Sequence, residues 1–261
     1  MQQNLPLVKV VQSEVDNTSI TKLVEKKMSE GSLPEKKEEN VKYIEPLYSP
    51  HVFAEYEIVE EKLRAGTKLE LVPSIHSIVL DLLQLQIAGK PPSGLDTSAS
   101  EFLDEVTGFE YLQRVPKREL AEYITKNRIV EIGKGKFLYI GYDDATAVVD
   151  YFNRLLHFWQ YQRAGQEPHQ VASWKGSDVS RFEASFQGNL NRVKEFKALH
   201  KCFRFYAPYW IARLETGSSY RFLVFDFNGV EQTRLGEEFT TNSQFYDFIN
   251  SKAFSIGDEG S

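Results

Sequence analysis

The side chains able to do chemistry are few and scattered. The chain of 261 residues holds five histidines, His51, His76, His157, His169 and His200, and one cysteine, Cys202. No two histidines stand at a metal-ligand spacing. His200 and Cys202 lie two apart, which on a strand puts both on one face. A thiolate–imidazole pair would still need a third group to orient the imidazole, and none is evident. Asp143-Asp144 precede a strong helical pattern, where capping the helix is the simpler role. Asp226, followed by Glu231-Gln232-Thr233 across an Asn-Gly turn, is placed like the strand-borne acids of a metal-dependent nuclease. Thr233 stands where such a site wants a lysine. No phosphate-cradling loop, nucleophile elbow or H-E-x-x-H occurs. Gly133-Lys134-Gly135 separates two apolar runs, so its glycines read as turn residues rather than a dinucleotide fingerprint. The sequence therefore predicts no catalytic residue, no metal and no cofactor.

Cationic and aromatic residues carry more signal. Arg114, Lys117, Arg118, Lys126, Arg128, Lys134 and Lys136 crowd one stretch against only Glu119, Glu122 and Glu131. A second stretch has Arg192, Lys194, Lys197, Lys201, Arg204 and Arg213 interleaved with Phe196, Phe203, Phe205, Tyr206, Tyr209 and Trp210. A basic strand bearing exposed aromatics can track and stack a single-stranded nucleic acid. The same alternation also fits a half-buried strand with rings inward and cations outward. On this ground Lys117, Arg118, Lys126, Arg128, Lys134, Lys136, Lys197, Lys201, Arg204 and Arg213 are the candidate nucleic-acid contacts. Phe203, Phe205, Tyr209 and Trp210 are the candidate aromatic contacts.

The elements that would position these residues follow from periodicity. Pro73-Ser74 predicts a helix start, with Ile75, Ile78, Val79, Leu82 and Leu83 on one face, ended by Gly89 to Gly94. Ser98 and Glu101 form a capping box for a second helix. Pro116 opens a third, running to Asn127. Ile129–Ile132 and Phe137–Ile140 flank the Gly133–Gly135 turn as a hairpin. Three helices and a hairpin over roughly 73–141 resemble the winged-helix pattern in element order. That resemblance implies recognition by the helix at 116–127 and a wing carrying Lys134 and Lys136. A longer helix runs from Asp143 or Asp144 to about Gln162. A loop at 164–176 marks a boundary, and Phe182 to Phe196 recur at helical spacing. Strands at 202–206, 209–215, 220–227 and 230–235, joined by Thr216–Ser219 and Asn228-Gly229, predict an antiparallel meander. A last helix spans Ser243 to Lys252.

The resulting fold class is α+β: a helical N-terminal half with a β-hairpin, a C-terminal antiparallel meander flanked by helices, and a disordered N-terminal tail. The domains expected are a tail at 1–42, a mainly helical subdomain at 43–165 and an α+β subdomain at 166–261. In the tail, mixed charges around Glu25 to Asn40 offer little to bury, although Ile20, Leu23, Val24 and Met28 would suit a short helix on a partner.

Composition sets the outer limits. A hydrophobic fraction of 41%, 26% charged residues and a net charge of −6 describe an ordinary globular chain. The acidic balance disfavours indiscriminate polyanion binding. No stretch approaches the ~20 apolar residues of a membrane helix. A lone cysteine and no evident export signal make the cytoplasm the expected compartment. The expected function is a non-catalytic protein-interaction adaptor or assembly subunit, with aromatic residues as anchors. A nucleic-acid-binding accessory protein is the alternative, with DNA or RNA as partner, and a metal-dependent nuclease-like enzyme comes third. Oligomeric state is not legible.

Overall fold

The computed structural model describes residues 7–30, 39–64, 68–88, 115–126, 128–163 and 193–257. Strand exceeds helix, and the expected helical N-terminal half is not formed. In chain order the elements are β1 (Val8–Val11), α1 (Asn17–Glu30), β2 (Asn40–Arg64), β3 (Lys68–Asp81), α2 (Leu82–Ala88), α3 (Arg118–Thr125), β4 (Ile129–Ile132) and β5 (Gly135–Leu138). They continue with α4 (Asp144–Arg163), β6 (Val193–Thr216), β7 (Ser219–Phe225), α5 (Thr233–Thr241), α6 (Ser243–Lys252) and β8 (Ala253–Ile256). The strands form a mixed eight-stranded sheet in the order β4-β1-β6-β2-β5-β8, with β3 paired to β2 and β7 paired to β6. The chain divides into two compact units, 1–51 with 122–141 and 205–261, and 52–121 with 142–204. Both β2 and β6 contribute residues to each unit.

In the first unit, residues 8–30 of the segment expected to be a disordered tail are part of the core. β1 pairs antiparallel with β4, from Val8↔Ile132 to Val11↔Ile129, and parallel with β6 at Val10↔Tyr206. α1 is capped by Asp16, whose Oδ1 accepts from the Ser19 amide at 2.8 Å; the Ser19 side chain, and then that amide, hold the Asp16 carboxyl below its ordinary value. Ile20 and Val24 pack with Ala212, Leu214, Leu223 and Phe225, and Leu23 and Met28 lean on the same cluster. The apolar stripe that suggested a helix for a partner thus finds that surface on its own chain. Charge composition misled because it averages over a helix whose buried stripe needs only four residues.

The expected hairpin at 129–140 is not formed. β4 sits beside β1, whereas β5 lies between β2 and β8, parallel to one and antiparallel to the other. Gly135, at φ 151°, has the Tyr48 ring 3.0 Å from where a Cβ would stand, so its glycine serves a close approach rather than a tight turn. The winged-helix element order therefore fails twice, at this hairpin and at Pro73, which lies within β3. The capping box at Ser98 and the boundary loop at 164–176 lie outside the described residues.

The meander also takes another form. The strands expected at 202–206 and 209–215 are one strand, β6, which includes Val193 and Phe196 from the segment expected to be helical. β6 and β7 make the anticipated hairpin, closing at Thr216↔Ser219 with Gly217 at φ 60°. After the Asn228-Gly229 turn the chain enters α5 at Thr233 instead of a further strand. α5 lies close on β7 because residue 236 is glycine: a Cβ there would stand 2.8 Å from the Phe222 carbonyl oxygen. α6 occupies the expected range and is capped by Asn242, whose side chain accepts from the Phe245 amide.

The second unit is built on aromatic packing. Tyr56 of β2 meets Phe152 of α4 at 4.5 Å between ring centroids, and Phe152 stacks on Phe196 of β6 at 5.2 Å. α4 begins at the predicted acids. Asp143 Oδ2 accepts from the Thr146 amide at 2.9 Å and from its hydroxyl at 3.0 Å.

Candidate functional site

The sequence from Lys68 to Asp81 forms β3 and not a helix, and its burial alternates at every residue from Glu70 to Ile78. Alternation is the period of a strand with two unlike faces. On one face His76 stacks against Tyr56 at 5.9 Å, and Tyr56 packs on Phe152 of α4. That face of the sheet is covered by α4. The opposite face of β3 presents Leu71, Pro73, Ile75 and Ser77 to solvent, with Leu71 64% and Ile75 63% exposed. The positions 75, 78, 79, 82 and 83 do match a helical period, but pairing with β2 decides the outcome. The helix starts only at Leu82, where Asp81 accepts from the Leu83 and Gln84 amides at 2.9 and 3.2 Å.

Hydrogen bonds also fix the polarity of this strand's outer edge. The Asp81 amide donates to the Val115 carbonyl at 2.8 Å, and the Lys117 amide donates to the Val79 carbonyl at 2.9 Å. Residues 79 and 81 therefore aim their backbone groups away from β2. In an unbroken strand the same holds for 71, 73, 75 and 77. Pro73, which has no N–H, thus falls on the outer edge and leaves the β2 ladder intact.

The ten predicted cations divide evenly between the two units. Lys117, Arg118, Lys197, Lys201 and Arg204 belong to one; Lys126, Arg128, Lys134, Lys136 and Arg213 belong to the other. At least six have a carboxylate partner among the described residues. Lys117 lies 3.8 Å from Asp81, Lys126 3.4 Å from Glu122 and Arg128 2.7 Å from Glu14. Lys136 lies 2.8 Å from Glu45, Arg204 2.7 Å from Asp144 and Arg213 3.2 Å from Glu215. Arg204 also donates to the Tyr142 carbonyl oxygen. Arg118, Lys134 and Lys197 are exposed. Lys201 is exposed too and sits over the Phe53 and Phe203 rings at 5.8 and 5.6 Å. Residues 203 and 204 alternate across β6, so Phe203 with Lys201 faces Phe53 while Arg204 turns to the start of α4.

Of the four aromatic candidates, Phe205 and Tyr209 are buried. Trp210 is half-buried against the α1 cluster and donates from Nε1 to Ser13 Oγ at 3.3 Å. Phe203 is half-buried beside Phe53.

The groups considered for catalysis are tied to structure. Burial, then the nearby Asp144 and Asp143 carboxylates, push the Cys202 thiol from its ordinary 9.0 up to about 11. It is a thiol and not a thiolate at neutral pH. His200 lies 3.3 Å from Glu57. Asp226 organises its own turn: Oδ1 accepts from the Asn228 and Val230 amides, each at 3.0 Å, and Oδ2 accepts from Gln232 at 3.1 Å. Among the described residues no cluster of His, Cys, Asp and Glu is fit to hold a metal ion. No described helix is long and apolar enough to cross a membrane.

The sequence reading missed Leu71 and Ile75. Apolar and polar residues do not alternate cleanly from Glu70 to Ile78, and only the burial of the folded strand does, so the sequence held no clear signal for them. No family model matches the chain, and no curated protein and no solved structure matches it.

Proposed function

We propose that the chain is a non-catalytic, protein-binding assembly subunit that engages its partner through the outward face of β3. The observation that carries this reading is the pair Leu71 and Ile75, both about two-thirds exposed, in the outward row Leu71, Pro73, Ile75 and Ser77 of β3. Removing each from water contributes at most about 1.5–3 kcal/mol, enough to anchor a contact. The lone Cys202, kept as a thiol by its surroundings, fits a reducing cytoplasm. The hydrogen bonds Asp226 accepts within its own turn, together with the raised Cys202 thiol, support binding over catalysis.

The test is a photo-crosslinking side chain placed in the full chain, in cells, at 71, at 75 and at the control position 230. Adducts to a protein at 71 and 75, and none at 230, are expected. Absence of adducts at 71 and 75 would overturn the reading. So would salt-sensitive binding of labelled oligonucleotides that Lys197→Ala and Lys201→Ala abolish and Leu71→Lys leaves intact.

A further inference from the structure

We infer that the occupant of the β3 face is a basic amphipathic helix of another protein, its apolar row on Leu71 and Ile75 and its flanking cations on Glu55 and Glu57. This inference rests on the protein-binding reading above and names the chemistry of the partner. Tyr56 of β2 and His76 of β3 stack at 5.9 Å on the face that α4 covers. Their strand neighbours Glu55, Glu57, Ile75 and Ser77 therefore turn to the opposite face, the two acids beside the apolar row. Both acids are partly exposed. Glu57 lies 3.3 Å from His200, and Glu55 has no ion-pair partner among the described residues. The other charges of this face, Glu195, Lys197 and Lys201, stand on β6, on the far side of β2. Lys201 is already seated over the Phe53 and Phe203 rings.

Dimensions decide which of these charges a partner meets. Neighbouring strands are about 4.8 Å apart, so β2 lies that far from β3 and β6 about twice as far. A helix is about 10–12 Å across with its side chains. Laid along β3, it overhangs the acids of β2 and stops short of the β6 column. Leu71 and Ile75 stand about 13 Å apart along the strand, just over two helical turns. A helix suits the site better than an added strand, because Pro73 puts its missing donor on the outer edge. It would also match the other face of the same sheet, which α4 already covers. Cations on the partner complement Glu55 and Glu57, and the net charge of −6 steers them in from a distance.

Fluorescence anisotropy of labelled helical peptides with the full chain tests this, at low and high salt. One peptide flanks an apolar row with lysine, a second flanks the same row with glutamate, and a third scrambles the lysine peptide so that no row forms. Only the first should bind, and its affinity should fall as salt rises. Leu71→Lys and Ile75→Lys should abolish that binding. Glu55→Gln and Glu57→Gln should each weaken it about two- to five-fold. Lys197→Gln, on the β6 column, and Glu237→Gln, at an exposed acid of the other unit, should leave it unchanged. Matching far-UV circular dichroism checks that the variants are folded. Equal binding of the scrambled or glutamate peptide overturns the inference, as does indifference to the β3 lysines or to loss of both acids. Crosslinks from 71 and 75 that land within the chain or on a second copy overturn it too. If the lysine peptide does not bind but those crosslinks land on a different protein, the basic-helix inference fails while the protein-binding reading stands. If the crosslinks are also absent, both fail.

Discussion

Tyr151 is fully buried on α4, and its hydroxyl finds no hydrogen-bond partner among the described residues. Burial, with the neighbouring Tyr56 phenol, keeps that hydroxyl protonated well beyond the ordinary tyrosine range. An unpaired buried hydroxyl is costly, so Tyr151→Phe should stabilise the fold by about 1 kcal/mol in urea unfolding. Cys202 makes a second residue-scale prediction. Between pH ~9 and ~11 the unfolded chain releases its thiol proton while the folded chain keeps it. The contribution of this group to stability is therefore intact below pH 9 and falls as pH rises through that window. Alkylation of the native protein should be slow at neutral pH, with a rate profile inflecting near 11 and not near 9. None of this could be read from the chain itself. The spacing of His200 and Cys202 gave a shared face, but the acids that raise the thiol come from α4, some sixty residues earlier.

At the level of elements, β3 and the β1–α1 arm carry the argument. Pro73→Val would restore an N–H donor to the outer edge of a long strand and give it the row that pairs with other edges. Higher oligomers should appear in sedimentation, together with faster aggregation on warming. In the arm, Ile20 and Val24 are fully buried against β6 and β7. Ile20→Ala should cost about 2–5 kcal/mol, read by denaturant midpoint, whereas a disordered tail would show no change. The arm also supplies the strand beside β4. Local patterns located α3, the helix from Asp144 and the helix from Ser243 because caps and 3.6-residue periods act within a few residues. They failed at 129–140. There the same two apolar runs suit a hairpin or two separate pairings, and partners far along the chain make the choice.

At the scale of the whole molecule, each compact unit is assembled from separated segments of chain. Fragments 43–165 and 166–261 would each hold parts of both units and complete neither. Each should be unfolded when expressed alone, with a random-coil circular dichroism spectrum and no cooperative melting. Pairings such as Val10↔Tyr206 close very long loops, so refolding should be slow for a domain of this size. The ten predicted cations show the same dependence on long-range order. They looked like two clusters along the chain, yet each stretch is divided between the units, and at least six of the ten bear a carboxylate partner among the described residues.

The amino-acid sequence by itself determined the features that depend on near neighbours. Asp143 caps α4, the Thr216–Ser219 turn closes a hairpin, Asp226 spends its carboxylate on an Asn-Gly turn, and Ser243 to Lys252 is helical. Each is settled by hydrogen bonds and periodicities spanning two to seven residues. Tertiary structure alone decided that 8–30 belongs to the core, that the 129–140 runs part company, and that Leu71 and Ile75 face solvent. Strand pairing is a competition among distant segments, and burial is a property of what the winning arrangement stacks on each face. For β3 the sequence held a helical period at its end and no clean alternation. Pairing with β2 selected the period of two, and with it the face on which the protein-binding proposal stands.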